Sequence, residues 1–103
     1  MSRFAEPVFI AAVLRTPFGR GGGALAAYDA ISLSVPVVQA MAAQAEPDLL
    51  VWGTVIPNLG WSNIPRETWL DAHLNPTVPA FSAVLACSTS MTAPFTAAGL
   101  LAG

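Results

Sequence analysis

Apolar residues along this chain fall into three short blocks separated by two stretches of helical spacing. Residues 7–14, PVFIAAVL, are apolar throughout, and 48–56 (DLLVWGTVI) and 79–86 (PAFSAVLA) are nearly so. Short runs that are apolar at successive positions, rather than at every second one, predict strands buried on both faces. Residues 30–46, AISLSVPVVQAMAAQAE, instead place Val35, Val38, Met41 and Ala42 on one helical face. Pro36 is expected in the first turn of that helix, where its missing N–H costs little. Residues 63–74, NIPRETWLDAHL, predict a short helix with Pro65 near its start and Glu67 in its first turn, complementing the helix dipole. From Cys87 or Ser88 the pattern is again helical to the end of the sequence. The predicted order is β-α-β-α-β-α, an α/β chain with a mostly parallel sheet covered by helices. Reactive groups in such sheets gather at the carboxyl ends of the strands, and Cys87 falls at the carboxyl end of the third.

Composition changes this picture in one respect. Hydrophobic residues make up 54% of the 103 residues and charged residues only 10%, with no lysine, against about 25% charged in an average soluble domain. A domain this small should have ample polar surface. A membrane span does not explain the surplus, because a spanning helix needs about 20 mostly apolar residues in a row. Arg15 and Pro17 follow VFIAAVL, and Gly53 and Pro57 interrupt LLVWGTVIP. A signal peptide is not expected either: Glu6 and Pro7 break the start of the apolar run, and no small-residue cleavage pattern follows it. The closing stretch, FTAAGLLAG, has neither a polar cap nor a charged last turn. The expectation is that residues 1–103 are a piece of a larger fold.

The formal net charge is −2, and the four arginines are scattered singly, so no basic patch for nucleic acid is present. One cysteine excludes an internal disulfide and a zinc cluster of cysteines, and no metal site is expected. A reducing cytoplasm is the default compartment.

Two motifs carry candidate chemistry. GRGGGA (19–24) loosely matches the dinucleotide pattern G-x-G-x-x-G/A. RTPF intervenes between the strand and the first glycine, however, and WGTVIPN offers no acidic residue for a ribose. A backbone turn requiring positive φ is the better reading. FSAVLACSTSMTAP (81–94) holds Cys87 where an apolar run gives way to small hydroxyl residues. Free cysteine is often only a small buried hydrophobe. At the start of a helix, however, a thiol meets the positive end of the dipole, which favours the thiolate, and the small neighbours Ser88, Thr89 and Ser90 leave room for an acyl group. Turn amides there would be available to a developing oxyanion. The chain lacks an evident base: its only histidine, His73, is read as a surface or capping residue at a helix end.

Four segments together resemble thiolases. VFIAAVLRTPFGRGGGAL looks like their first strand and Arg-Thr-Pro-Phe-Gly loop, VWGTVIPN their second strand, SNIPRETWL their Asn-x-x-Arg helix, and VPAFSAVLACSTSMTA their third strand and active-site cysteine segment. The Cys-Ser-Thr-Ser form is most similar to the trifunctional β-oxidation branch. The four match in order and cover essentially the whole chain as an N-terminal segment. The resemblance implies that Cys87 attacks an acyl-CoA thioester and becomes acylated. The acyl group then passes to a second CoA, or to the α-carbon of acetyl-CoA in a Claisen condensation, through a ping-pong sequence. It implies coenzyme A thioesters as substrates, no bound cofactor, no membrane partner, and a homodimer or higher oligomer of the complete protein. The third strand, 79–85, resembles the one that pairs across the family's dimer interface. Arg66 matches a family arginine with a structural role.

The departures are equally specific. Thiolases are several times longer, and their activating histidine, second cysteine and asparagine–histidine oxyanion site match nothing in these residues. Pro94 stands where the family's helix continues, seven residues past the cysteine. Turnover by these residues alone is therefore not expected. The alternatives are another thiolase-fold condensing enzyme, or a non-catalytic subunit that docks onto a longer thiolase-like partner.

Overall fold

A computed structural model describes residues 6–102. The elements are α1 (Ala30–Ala42), β1 (Leu50–Gly53), α2 (Ile64–Asp71), β2 (Ala80–Ala83), a 3-10 turn (Ala86–Ser88) and α3 (Thr89–Ala102). β1 and β2 pair in parallel, with Leu50 opposite Ala80 and Gly53 opposite Ala83. This is the expected α/β class, with strands shorter than the apolar runs that announce them.

The start of α1 is set by a capping box. The Asp29 carboxylate accepts from the Ser32 N–H at 2.7 Å, and the Ser32 hydroxyl accepts from the Asp29 N–H at 2.9 Å. That box overrides the expected placement of Pro36. The helix begins six residues before the proline, which lies inside it, exposed on its outer side, where the missing N–H leaves a gap in the ladder. α2 conforms to expectation, with Pro65 in its first turn and Glu67 close behind. Just beyond its C-cap, Ala72, His73 takes a left-handed φ of 57° and its side chain is exposed. α3 continues through Pro94 to Ala102.

The core lies between α1, α2 and the sheet. Val38, Trp69, Ala72 and Val78 are buried there, with Leu50 and Leu74 packed against them. The Trp69 indole N–H donates to the Asn75 carbonyl at 2.6 Å, so its polar edge is satisfied. Arg66 donates to the carbonyls of Pro76 at 2.9 Å and Val78 at 3.3 Å, tying α2 to the chain entering β2. Asn63 does the same one turn earlier, donating to Ala80 at 3.0 Å and accepting from the Ser82 hydroxyl at 2.9 Å. These bonds support the structural role expected for Arg66.

Residues 7–14 depart from expectation. They are not paired as a strand, and Phe9, Ile10 and Val13 are 82%, 88% and 83% exposed. A strand buried on both faces needs a layer on each. α1 packs against α2 rather than across the sheet, so the cover beside β1 is incomplete. The glycine-rich segment that follows forms turns, with Gly22 at φ 73°. A turn requiring positive φ is therefore the role that the structure gives the glycine loop.

Candidate active site

Cys87 lies in the 3-10 turn between β2 and α3, at the carboxyl end of the parallel pair, and is exposed. Three local features put it there. Leu85, in a non-helical conformation, ends the extended segment. Ala86 then takes φ 45°, a left-handed conformation that costs an L-residue about 1–2 kcal/mol. That reversal lifts the next residue out of the line of the strand. The Ser88 N–H donates to the Leu85 carbonyl at 2.9 Å, and the Thr89 N–H to the Ala86 carbonyl. Both amides are therefore committed within the turn. The Cys87 N–H has no partner among the described residues. Of the turn amides expected to be open, those of Ser88 and Thr89 are not.

Thr89 fixes this turn to the sheet. It is only 4% exposed. Its hydroxyl accepts from the Leu85 N–H at 2.8 Å and donates to the Ala86 carbonyl at 2.8 Å, with the Thr54 carbonyl also within reach at 3.2 Å. One side chain thus joins the ends of both strands to the first turn of α3. Gly53 makes that approach possible: a Cβ there would collide with the Ala83 carbonyl and the Thr89 methyl. Sequence reasoning saw Thr89 only as a small neighbour of the cysteine. Its contact with the Thr54 carbonyl, 35 residues away, is one that no local pattern reveals.

His73 is not brought to the cysteine. β1 and β2 are parallel and α2 returns between them. His73, after the end of α2, therefore lies at the amino ends of the strands and Cys87 at the carboxyl ends. A strand of this length spans about 13 Å, far beyond hydrogen-bond reach. Among the described residues no group of three or more metal-ligating side chains occurs, and no helix is long and apolar enough to cross a membrane.

No family model matches the sequence. Comparison with curated proteins is more informative. The chain is 35% identical over 96 residues to an acetyl-CoA acetyltransferase of Synechocystis, an alignment covering 88% of this chain and 24% of the relative. It is 34% identical over 90 residues to a 3-ketoacyl-CoA thiolase of Shewanella, covering 82% and 21%. With a 3-ketoacyl-CoA thiolase of Vibrio cholerae it shares 36% identity over 97 residues, covering 89% and 22%. An α/β fold with an exposed thiol at the end of its sheet thus coincides with one consistent set of relatives. By sequence the chain belongs to the thiolase family, and it spans between a fifth and a quarter of the length of the curated relatives it matches.

Proposed function

We propose that this chain supplies the nucleophile of a thiolase-type acyl transfer, and that Cys87 is that nucleophile. The observation that carries the reading is the exposed thiol on a strained, stapled turn at the carboxyl end of the parallel strands. In the reaction, the Cys87 thiolate adds to the carbonyl carbon of an acyl-CoA thioester. The bond from that carbon to the CoA sulfur breaks, CoA leaves as a thiolate and takes up a proton, and an acyl-cysteine remains. The Cys87 N–H, which has no partner among the described residues, and the N-terminal end of α3 would meet negative charge developing on the carbonyl oxygen. Transfer of the acyl group to a second CoA or to the α-carbon of acetyl-CoA completes the cycle.

The base that generates the thiolate and the acid/base for the α-carbon have no counterpart in these residues, since His73 faces the opposite end of the sheet. The 103 residues alone therefore do not turn over. Two experiments test the two halves of this reading. Purified chain incubated with acetoacetyl-CoA and CoA is expected to release no acetyl-CoA, and measurable thiolysis would refute the claim of inactivity. In a chimera that replaces the matching segment of the Synechocystis relative with this chain, acetyl-CoA is expected to leave an acetyl group on Cys87, detected by peptide mass spectrometry. An adduct that survives Cys87→Ala would overturn the assignment.

A second reading is favoured by the large apolar side chains left exposed on α3 and beside β2, including Met91, Phe95, Val84 and Leu85. Under it, the chain is a non-catalytic subunit that docks onto a longer thiolase-like partner. Co-purification of such a partner with the chain, together with an unreactive Cys87, would favour this reading over the first.

A further inference from the structure

We propose that Ala86 is a positioning residue for Cys87: its left-handed backbone conformation aims the peptide unit that carries the Cys87 N–H. Two non-glycine residues among those described take positive φ, His73 and Ala86. His73 follows the end of α2, where a left-handed residue is an ordinary way for a helix to stop. Ala86 has no such reason. It joins the extended segment after β2 to the turn before α3, at φ 45°, a region that disfavours alanine and suits glycine. A residue stays in such a conformation only where its surroundings over-determine it, and positions of this kind cluster at functional sites.

The bonds around Ala86 over-determine it. On one side of its Cα, the Leu85 carbonyl accepts from the Ser88 N–H at 2.9 Å. On the other, the Ala86 carbonyl accepts from the Thr89 N–H and from the Thr89 hydroxyl at 2.8 Å. The same hydroxyl accepts from the Leu85 N–H at 2.8 Å. Both peptide planes that flank Ala86 are therefore held, and its φ cannot relax without breaking at least one of these bonds.

The consequence falls on the peptide unit between Ala86 and Cys87. A trans peptide is planar, so its C=O and N–H point to opposite sides of the chain. With the Ala86 carbonyl held toward Thr89, the Cys87 N–H faces away from that residue, and it has no partner among the described residues. An Ala86 relaxed to negative φ would rotate this plane and carry the amide with it. An amide aimed beside the thiol matters where a carbonyl reacts there, so the role of Ala86 rests on the acyl-transfer reading. Its test uses no acyl-CoA, so the two fail separately.

The measurement is the ratio of the rates at which iodoacetate and iodoacetamide label Cys87 in the 103-residue chain. Both reagents meet the same thiol, so changes in its exposure cancel. What remains is the preference that nearby amides give the anionic reagent. Ala86→D-Ala, made by chemical ligation at the Ala86–Cys87 bond, adopts positive φ freely and leaves the freedom of the unfolded chain unchanged. It is expected to raise the urea midpoint and to keep the ratio. Ala86→Val, strongly disfavoured at positive φ, is expected to lower the midpoint and to reduce the ratio about two- to five-fold. Thr89→Val, which removes the hydroxyl from the Ala86 carbonyl, is expected to reduce the ratio as well, and Ala86→D-Ala added to it to restore the ratio. That rescue carries the comparison if Ala86→Val does not fold, and a general loosening of the turn would not produce it. A midpoint that Ala86→D-Ala fails to raise would overturn the left-handed conformation. A ratio that is the same in every form, or one that Ala86→D-Ala does not restore in Thr89→Val, would overturn the positioning role.

Discussion

At the scale of single residues, the candidate site depends on Thr89 as much as on Cys87. The hydroxyl of Thr89 is the only side-chain group bonded to both the Leu85 amide and the Ala86 carbonyl among the described residues, and these flank the left-handed turn. Thr89→Val keeps the shape and removes both bonds, leaving a part-buried N–H unsatisfied. A loss of about 1–3 kcal/mol in folding stability is expected, read from urea unfolding. Thr89→Ser, which restores the hydroxyl, should recover most of it. An unchanged denaturation midpoint in Thr89→Val would show that the bonds are dispensable. The same loosening should alter the rate at which iodoacetamide labels Cys87, a readout that a purely global loss of stability under native conditions would not move. Cys87 was legible in the sequence because a lone thiol between an apolar run and a hydroxyl-rich one stands out locally. Thr89 was not, because its partners come from the ends of two different strands.

At the scale of elements, legibility followed how local the deciding forces were. α2 was predicted nearly to its ends, since Pro65, Glu67 and the apolar spacing act within the helix itself. β1 and β2 were placed correctly but too long, because a strand extends only as far as its neighbour pairs with it. The block at 7–14 reads as a strand by composition, yet it is not paired as one, because a strand buried on both faces needs cover that the segment itself does not supply. α1 shows a competition between two local signals. Pro36 argued for a later start, and the Asp29–Ser32 box prevailed because it satisfies orphan donors at the true first turn. The same box gives α1 a pH dependence. The Ser32 amide, followed by the Ser32 hydroxyl, holds the Asp29 carboxyl below its ordinary value of 3.8. A lowered folded-state value means the cap's contribution is fully present above pH 3.8 and is lost as pH falls through the lower folded value. Amide exchange in the first turn of α1 is therefore expected to quicken on acidification below that range. Asp29→Asn, which still caps but does not titrate, should remove the dependence. A first turn equally protected at both ends of that range in the wild-type chain would contradict this account.

The scale of the whole molecule is where the composition finds its explanation. The solvent-accessible surface is 7436 Å², whereas a self-contained protein of this mass exposes about 5,500 Å². The excess of about 1,900 Å² exceeds the share, about 800 Å², that one partner contributes to a standard interface. The radius of gyration agrees, at 14.4 Å against about 13 Å for a compact chain of this length. The excess is apolar in character: Phe95, Leu101, Val84, Leu85, Ile56 and Leu59 are all exposed, and few charges are available to interrupt them. Patches of this extent mark surfaces that something else covers. In a protein as long as the relatives, the remaining three quarters of the polypeptide would provide that cover, and a subunit interface would add to it. The isolated 103 residues are therefore expected to self-associate. Analytical ultracentrifugation across a concentration series should show weight-average mass rising above that of a monomer, accompanied by binding of the dye ANS. Both should diminish when Phe95→Glu and Leu101→Glu are introduced together on α3. The two positions lie six residues apart and outside the buried cluster at Val38, Trp69 and Val78, so the core is left intact. A monodisperse monomer that binds no dye would mean that the chain covers its own apolar surface.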